Sequence, residues 1–299
     1  MILIKPYYKI LALSTIINPF PLPYNYNKQQ LDLIEYAGKI CYKSENNITK
    51  DSSNKFINKL INNKHFSVLE HSWELRIYPY LTIPTDSKFL NYLKMPHGLG
   101  YIVAGNIRAF NEWDFLGKHD FNYPTEEIIE YIIHKCRWDM LSATVIFITN
   151  RGISHELVRH RTASFSQEST RWCNYSKDKF ENNLTFIIPL WAYNEIKEDT
   201  YKGNEEFVSN EIQIWFDAMS NAEISYLNLI NAYNFKPDRA RAVLPNDLKT
   251  EIVITANLAE WKHIFELRGT QECHSHEQMK ELMIPLHENF KNIYPKVFK

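Results

Sequence analysis

The chain has 299 residues, of which 44% are hydrophobic and 14% aromatic, enough to bury a core as one large domain or two average ones. Its 34 basic and 35 acidic residues give a net charge of -1, which provides no overall field that favours nucleic acids or anionic membranes. Any site for an anion must therefore be local.

The N-terminal apolar run, Ile10 to Ile17, is too short to span a bilayer and lacks a small-residue cleavage pattern. We interpret it as a first β-strand that leads into a proline-rich turn. Four dispersed cysteines without a CxxC pair indicate reduced thiols. We therefore expect a cytoplasmic protein without a signal peptide or transmembrane segment.

Apolar residues at helical spacing predict helices over Gln29 to Cys41 and Thr49 to Asn62.

A polar segment, His65 to His71, precedes a predicted strand from Trp73 to Thr82. It contains two histidines, a serine and a carboxylate. Polar groups at a strand entrance often serve a turn, and that interpretation stands beside a role in ligand binding.

The region from about Glu74 to Ala143 contains a helix-compatible segment, Asp86 to Leu93, and a predicted helix from Thr125 to Met140 with a start signal at Pro124 to Glu127. Gly98 and Gly100 indicate a turn. They form no dinucleotide-binding motif, because the third glycine and the βαβ setting are missing.

A buried strand is predicted over Ala143 to Thr149, and a helix from Ser154, as N-cap, to about Arg159. The stretch Arg159 to Arg171 would then start at a helix end and continue into a loop. It holds three arginines, a histidine, five hydroxyl side chains and an amide within thirteen residues. Guanidinium groups pair bidentately with phosphate or carboxylate, so an anion site is one interpretation. An exposed basic loop that makes weak surface ion pairs is the other.

The longest helical pattern runs from Glu205 to Ala232 and is typical of core or subunit contact. A second polar block begins at Pro237 and includes a predicted strand, Thr250 to Ala256. A helix follows over Asn257 to Gly269, with Gly269 as its C-cap, and the last helix runs from His274 to about Ile293 with a kink at Pro285. The Cys-His-Ser-His sequence at 273–276 lacks the second ligand pair of a zinc site, so no metal is expected.

The order of residues in these blocks resembles the flavin-dependent thymidylate synthase family. Arg159-His160-Arg161, seven residues, Ser169 and then Arg171 match the signature of that family. Its His-x-Ser/Thr-x-x-Glu segment corresponds to His65, Ser67 and Glu70. The Arg-x-Val-Leu-Pro sequence from Arg241, then Thr-x-Asn and Trp-x-His-x-x-x-x-Arg ending at Arg268, follow the family's order.

The resemblance implies an α+β fold in which a small, mainly antiparallel sheet packs against long helices. It implies a single domain over residues 1–299, with an inserted helical segment at about 74–143. It further implies a homotetramer with shared active sites, and no nucleic-acid or membrane partner. The activity implied is reductive methylation of dUMP to dTMP, with 5,10-methylenetetrahydrofolate as carbon donor and NADPH as reductant through FAD.

Site residues follow from the same resemblance. The implied FAD contacts are Ser67, Arg159, His160, Arg161, Gln167, Asn257, Leu258, Ala259 and His263. The implied dUMP contacts are Glu156, Leu157, Val158, Arg159, Gln167, Glu168, Ser169, Thr170, Arg171, Arg241 and Arg268. Arg268 is also the implied catalytic residue, because a fixed cation can stabilise charge that develops on the uracil ring.

Ser169 has no obvious base partner in the sequence, and a serine at its ordinary pKa is a weak nucleophile. We therefore expect it to orient the ligand. Two other functions stay open at this point. One is a nucleic-acid-binding module in which Trp172 or Tyr175 stacks on bases. The other is a flavin oxidoreductase that binds dUMP without methylating it.

Overall fold

The computed structural model describes residues 1–13, 26–79, 89–96, 99–114 and 126–298. The strands are β1 (Ile2–Ile4), β2 (Tyr7–Leu13), β3 (Glu74–Tyr78), β4 (Leu90–Lys94), β5 (Tyr101–Gly105), β6 (Ser142–Asn150), β7 (Ser164–Gln167), β8 (Thr185–Ile187), β9 (Asp199–Thr200) and β10 (Lys249–Asn257). The α-helices are α1 (Tyr26–Ile40), α2 (Ser52–Asn62), α3 (Ile107–Asp114), α4 (Glu126–His134), α5 (Arg151–Leu157), α6 (Asn210–Asn231), α7 (Pro237–Ala240), α8 (Leu258–Arg268) and α9 (Glu277–Ile293).

A four-stranded antiparallel sheet in the order β2-β6-β10-β7 holds the core together. All nine residues of β6 are buried, as its unbroken β-branched and apolar sequence predicts for a strand covered on both faces. β6 pairs with β10 along its whole length, from Asn150 opposite Lys249 to Ser142 opposite Asn257. Each strand thus leads straight into a helix, β6 into α5 and β10 into α8, and these two helices carry predicted site residues.

Helices α8 and α9 cover one face of the central sheet with an aromatic cluster. Trp261 stacks on Phe265 with ring centroids 5.6 Å apart, and Phe290 lies 5.1 Å from Phe265 in an edge-to-face arrangement. All three rings are buried. Helix α1 covers the opposite face, where Ala37 and Ile40 pack with Ile146 and Val253. The mixed α+β class predicted from the sequence is confirmed.

Two smaller sheets flank the centre. One has the order β8-β1-β9 and the other β3-β5-β4. The second lies in the predicted insertion, which is therefore not only helical. The prediction that Asp86 to Leu93 is compatible with a helix is wrong for its described part. Residues 90–93 belong to β4 and pair with β5. Gly105 permits this pairing, since a Cβ there would lie 2.5 Å from Leu90 Cδ2. Residues 86–88 and Gly98 lie outside the described residues.

Several predicted boundaries move. The helix predicted to Met140 ends at His134, and Cys136 takes a positive φ of 51° before a short 3-10 turn. Helix α6 begins at Asn210 rather than Glu205, and Val208 is 94% exposed. The predicted strands from Ile10 and Trp73 are present as β2 and β3. Residues 14–17, 80–82 and 124–125 of the predicted elements fall outside the described ranges.

The structure of Arg159 to Arg171 also differs from the prediction, which was a helix end followed by a loop. Helix α5 begins at Arg151, with Asn150 rather than Ser154 as N-cap, and it ends at Leu157. Residues Ser164–Gln167 form β7, an edge strand of the central sheet. Among the helices that the structure describes, none is both long and apolar enough to cross a membrane.

Candidate functional site

Helix α5 and strand β7 are fixed to each other by polar side chains. Asn150 Oδ1 accepts a hydrogen bond from the Ile153 backbone N–H at 2.8 Å, which satisfies one free donor at the start of α5. Gln167 Nε2 donates to Ser154 Oγ at 2.8 Å and to Thr250 Oγ1 at 3.1 Å. Gln167 therefore joins β7 to both α5 and β10.

Arg268, at the end of α8, joins three parts of the site. Its Nη1 donates to Glu156 Oε2 at 2.8 Å, its Nη2 donates to the Glu156 carbonyl at 3.3 Å, and its Nε donates to His160 Nε2 at 2.9 Å. The guanidinium is only partly exposed, so these partners fix its position. The structure thus brings together three predicted residues from two separate blocks of sequence.

The contact with Arg268 defines the hydrogen-bonding role of His160. Its Nε2 accepts from the Arg268 guanidinium, which can only donate. Nδ1 faces Glu260 Oε1 at 3.7 Å, and His263 lies edge-on to the same ring with centroids 6.2 Å apart. Burial raises the pKa of Glu260, but hydrogen bonds from His160 and Thr162 outweigh burial and bring it below its ordinary value. Glu260 is therefore an acceptor at neutral pH.

Glu168 is the buried member of an ionic cluster formed by Glu168, Lys249, Glu251, Lys43 and Glu45. Its Oε1 accepts from the Tyr175 hydroxyl at 2.9 Å, and its Oε2 pairs with Lys249 Nζ at 2.8 Å. Lys249 also pairs with Glu251 at 2.7 Å, and Lys43 joins Glu251 and Glu45. Burial lowers the pKa of Lys249, yet the two neighbouring carboxylates raise it above its ordinary value. Both oxygens of Glu168 are thus engaged inside this chain.

Four arginines of the predicted site contrast with this cluster. The side chains of Arg159, Arg161, Arg171 and Arg241 are exposed. Within the described ranges none of the four has a carboxylate at ion-pair distance. Arg171 lies over the ring of Trp172, with its Cζ 5.5 Å from the centroid, and Trp172 is itself 59% exposed. These four guanidinium groups are available to an external anion.

A polar cavity of about 260 Å³ opens beside the motif. Its lining includes Thr162 and Ser164 from the motif, Asn257 and Ala259 from the start of α8, and Glu70. Glu70 Oε2 accepts from Ser164 Oγ at 3.0 Å, and Glu70 Oε1 pairs with Arg108 at 2.6 Å. The segment from His65 to His71 therefore contacts the motif through its carboxylate.

The remaining predicted residues take different places. Asn257 caps α8 by accepting from the Glu260 backbone N–H at 2.8 Å, and Ala259 lines the cavity. Leu157, Thr170 and Leu258 are buried; Val158, Ser67 and His263 are exposed; Ser169 is half-buried. Across the described residues, no hydrogen bond or ion pair links Ser67 or Arg241 to the Arg268 group.

His71 was not predicted as a site residue, although it lies in the polar segment from His65 to His71. It is fully buried, with Nδ1 2.9 Å from Thr255 Oγ1 and Nε2 2.9 Å from Ser166 Oγ. Burial lowers its pKa to about 3, so the ring is neutral. Glu260, Lys249 and Asn106 were also missed. The residues around them in the sequence do not indicate a site, because each is positioned by contacts between distant segments.

The structure therefore defines an α+β protein with an arginine-rich surface beside a small polar cavity. A family model described as "Thymidylate synthase complementing protein" matches residues 24–73 and 111–296, well over half of the chain. The chain belongs to this family, the flavin-dependent thymidylate synthases, and the predicted resemblance is confirmed. All residues predicted for the site lie in the two matched parts, which leave out residues 74–110.

Individual proteins of this family are similar to the chain. A flavin-dependent thymidylate synthase of Thermococcus onnurineus is 30% identical over 192 residues, which are 62% of this chain and 71% of that protein. The enzyme of that name from Saccharolobus solfataricus is 27% identical over 216 residues, 71% of this chain and 75% of that protein. A crystal structure of a UMP/dUMP methylase PolB from Streptomyces cacaoi, bound with 5-Br UMP, aligns with a TM-score of 0.42 at 19% identity, over 57% of this chain and 79% of that one.

Within the described residues there is no group of three His, Cys, Asp or Glu side chains that could hold a metal ion.

Proposed function

We propose that this protein is a methyltransferase that converts dUMP to dTMP, with 5,10-methylenetetrahydrofolate as carbon donor and NADPH as reductant through FAD. The observation that carries this proposal is the family match, which includes every residue that the resemblance assigns to FAD or dUMP. The geometry supports it through two features. One is a set of unpaired arginines, and the other is a cavity lined by amide and hydroxyl groups.

The unpaired arginines suit the phosphate groups of the ligands. Arg171 and Arg241 are proposed to bind the phosphate of dUMP, because their guanidinium groups are exposed and have no carboxylate partner in the described part of the chain. Arg159 and Arg161 are proposed to bind the pyrophosphate of FAD, and Arg159 to reach dUMP as well. An arginine already paired with a carboxylate would have to break that pair before it could bind a phosphate.

Arg268 is proposed to stabilise negative charge on the uracil ring. Its contacts with Glu156 and His160 hold the guanidinium in place, so little reorganisation is needed as charge develops. His160 accepts a hydrogen bond from Arg268, and Glu156 balances the cation in the absence of substrate. Glu156 is only half-buried, which leaves room for a ligand at its edge.

The cavity residues fit a flavin. Asn257 uses its Oδ1 to cap α8, and within the described residues its Nδ2 has no partner, so that group can donate to a ligand. His263 belongs to the same helix, and His160 lies beside it. When bound, FAD would supply the redox chemistry that links NADPH oxidation to methylation. The protein's own part would be to hold the ring and to exclude water from it.

Ser169 is proposed to orient dUMP rather than to attack it. Its Oγ accepts a hydrogen bond from the Arg171 backbone N–H at 3.3 Å. No histidine or carboxylate in the described part of the chain lies within hydrogen-bond reach of this hydroxyl to act as a base. This geometry favours a role in placing Arg171 and the ligand.

The assembly is proposed to be a homotetramer of single-domain chains that works in the cytoplasm. Helix α6 supports a subunit contact, because Ile214 and Ile224 are exposed on it while Ile212, Trp215 and Met219 are buried. Val208, just before the helix, is almost fully exposed as well. A second copy of the chain would cover these apolar side chains.

The test is product formation. Purified protein is incubated with dUMP, methylenetetrahydrofolate, NADPH and FAD, and each component is omitted in turn before dTMP is measured by chromatography. The proposal expects dTMP only in the complete mixture. NADPH oxidation without dTMP would favour a flavin oxidoreductase. Absence of FAD and dUMP binding, together with salt-dependent binding of single-stranded DNA, would favour a nucleic-acid-binding module.

A further inference from the structure

Described residues of the segment 74–110, which the family model leaves out, line one side of the cavity. This segment contains β3, β4, β5 and the start of α3. Phe89, Asn91 and Asn106 from this segment line the same cavity as Asn257 and Ala259. The inserted segment therefore contributes side chains to the proposed cofactor site.

Asn106 presents a donor to the cavity. Its Oδ1 accepts from the Ala109 backbone N–H at 2.8 Å, and the following residue, Ile107, is fixed by a hydrogen bond to Ser72 Oγ at 2.8 Å. The residue is 3% exposed, and its Nδ2 group has no hydrogen-bond partner in the described part of the chain. Because its oxygen is already engaged, the group left for the cavity is the NH₂. A buried donor takes its partner from whatever fills the cavity beside it.

Asn91 presents the opposite group. Its Nδ2 donates to the Asp139 carbonyl at 2.9 Å, so its Oδ1 is left as an acceptor at the cavity. Asn91 lies opposite Ala104 in the pairing of β4 with β5, and Asn106 is two residues beyond Ala104. Asn106 follows the last residue of β5, and both asparagines line the same cavity. An acceptor and a donor on one side of a cavity can contact adjacent groups on one ring.

The other lining groups limit the chemistry of the ligand. Glu70 and Glu260 place two carboxylates at the cavity, which disfavours a phosphate there. Trp73 and Phe89 add aromatic surface against which a flat ring can pack. A neutral planar heterocycle with an N–H next to a carbonyl fits these conditions.

We propose that Asn91 and Asn106 recognise the pyrimidine-type edge of such a heterocycle. Asn91 accepts from a ring N–H, and Asn106 donates to the adjacent carbonyl. This inference rests on the proposed function, since the flavin ring of FAD and the pterin ring of folate both have that edge. The inserted segment thereby determines specificity for one of these two rings.

The test uses Asn106→Asp, which keeps the oxygen that caps α3 and replaces the donor with an acceptor. The affinity of the apoprotein for FAD is measured by fluorescence titration. The KM for methylenetetrahydrofolate is measured at saturating FAD. One of these two constants is expected to increase about 10-fold or more, because an acceptor now faces the ring carbonyl. A change in the FAD constant identifies the flavin as the ligand, and a change confined to the folate constant identifies the pterin.

Two further variants keep the result interpretable. Asn106→Ser retains an oxygen suited to capping α3 while it removes the amide, so it tests the same contact if Asn106→Asp is unstable. Asn111→Asp places the same change on the exposed side of α3 and should alter neither constant. dUMP affinity should be unchanged in all three. If wild-type protein makes dTMP and both constants of the Asn106 variants equal those of the wild type, this inference is wrong and the proposed function stands. Wild-type protein that binds neither FAD nor folate would overturn both.

Discussion

The ionic cluster around Glu168 and the four unpaired arginines are both built from charged residues near the same motif, yet their surroundings are opposite. In the cluster, Lys249 is largely buried between two carboxylates at 2.7 and 2.8 Å. Arg171 and Arg241 are exposed and have no carboxylate partner among the described residues. In this cluster the paired charges maintain the fold, whereas the exposed arginines are available to a ligand.

The largest effect is expected from Lys249→Met. This change leaves Glu168 and Glu251 without their shared cation, and breaking a buried ion pair costs about 3–5 kcal/mol. The free energy of unfolding, measured by urea denaturation, should fall by that amount. Lys249→Met combined with Glu168→Gln should recover part of the loss, because one uncompensated charge is removed. Equal stabilities of Lys249→Met and wild type would show that the cluster does not maintain the fold.

Arg268→Ala should come next. Loss of a preorganised group that stabilises developing charge typically lowers kcat by a factor of about 100 to 1,000. The expected loss appears in kcat for dTMP formation, while FAD absorbance and thermal stability of the protein are monitored as controls. Arg268→Lys should restore little, since one ammonium cannot contact both Glu156 and His160 in the same geometry. Near-normal turnover by Arg268→Ala would remove the proposed activating role.

His71 predicts a pH dependence of stability on the buried side of the comparison. Its pKa in the folded chain is about 3, against 6.5 for an unperturbed histidine. Between these values the unfolded chain binds the proton and the folded chain does not, so stability falls as the pH decreases below about 6.5. The contribution lost at pH 5 is about 2 kcal/mol. His71→Gln should be less stable at pH 7 but should show a shallower loss towards pH 5; parallel pH profiles would contradict the assignment.

Arg171→Ala tests the exposed side. The dissociation constant for dUMP, measured by calorimetry, should increase about 10-fold, because a charge-assisted hydrogen bond to phosphate is lost. The free energy of unfolding should be unchanged. Arg241→Ala should behave alike. Arg239→Ala is the matched control, since Arg239 lies close in sequence and its guanidinium stacks over Phe235 at 4.2 Å. A destabilised Arg171→Ala, or an effect of Arg239→Ala of similar size, would contradict the distinction.

The smallest effect on turnover is expected from Ser169→Ala. The variant should retain measurable dTMP formation, because the hydroxyl has no base partner and accepts only from Arg171 in the described residues. The measurement is kcat together with dUMP affinity. Complete loss of turnover with intact binding of dUMP and FAD would indicate a nucleophile instead.

Sequence patterns predicted the elements whose apolar residues follow a clear period. β6 and α8 are examples, because a continuous apolar run and a helical repeat are local properties. β7 was missed, since Ser164 and Ser166 turn hydroxyls rather than apolar groups into the core, where Ser166 contacts His71. The start of α5 was missed because Asn150-Arg151-Gly152 is typical of a turn.

The same limit applies to the site. The motif order predicted which residues belong to it, but could not predict which charges are paired. Glu168 and Arg171 are three residues apart, yet one is buried against Lys249 and the other is exposed. That difference depends on β10, which lies about 80 residues further along the chain and brings Lys249 to Glu168. The residues near Glu168 in the sequence cannot predict such a long-range contact.

The most direct test of the account is an anaerobic experiment on protein loaded with FAD. NADPH is added with and without dUMP, the flavin absorbance is followed, and methylenetetrahydrofolate is added last before dTMP is assayed. The account predicts bleaching by NADPH, followed by reoxidation coupled to dTMP formation only when dUMP and folate are both present. Failure to bind FAD, or reoxidation without dTMP under these conditions, would contradict it.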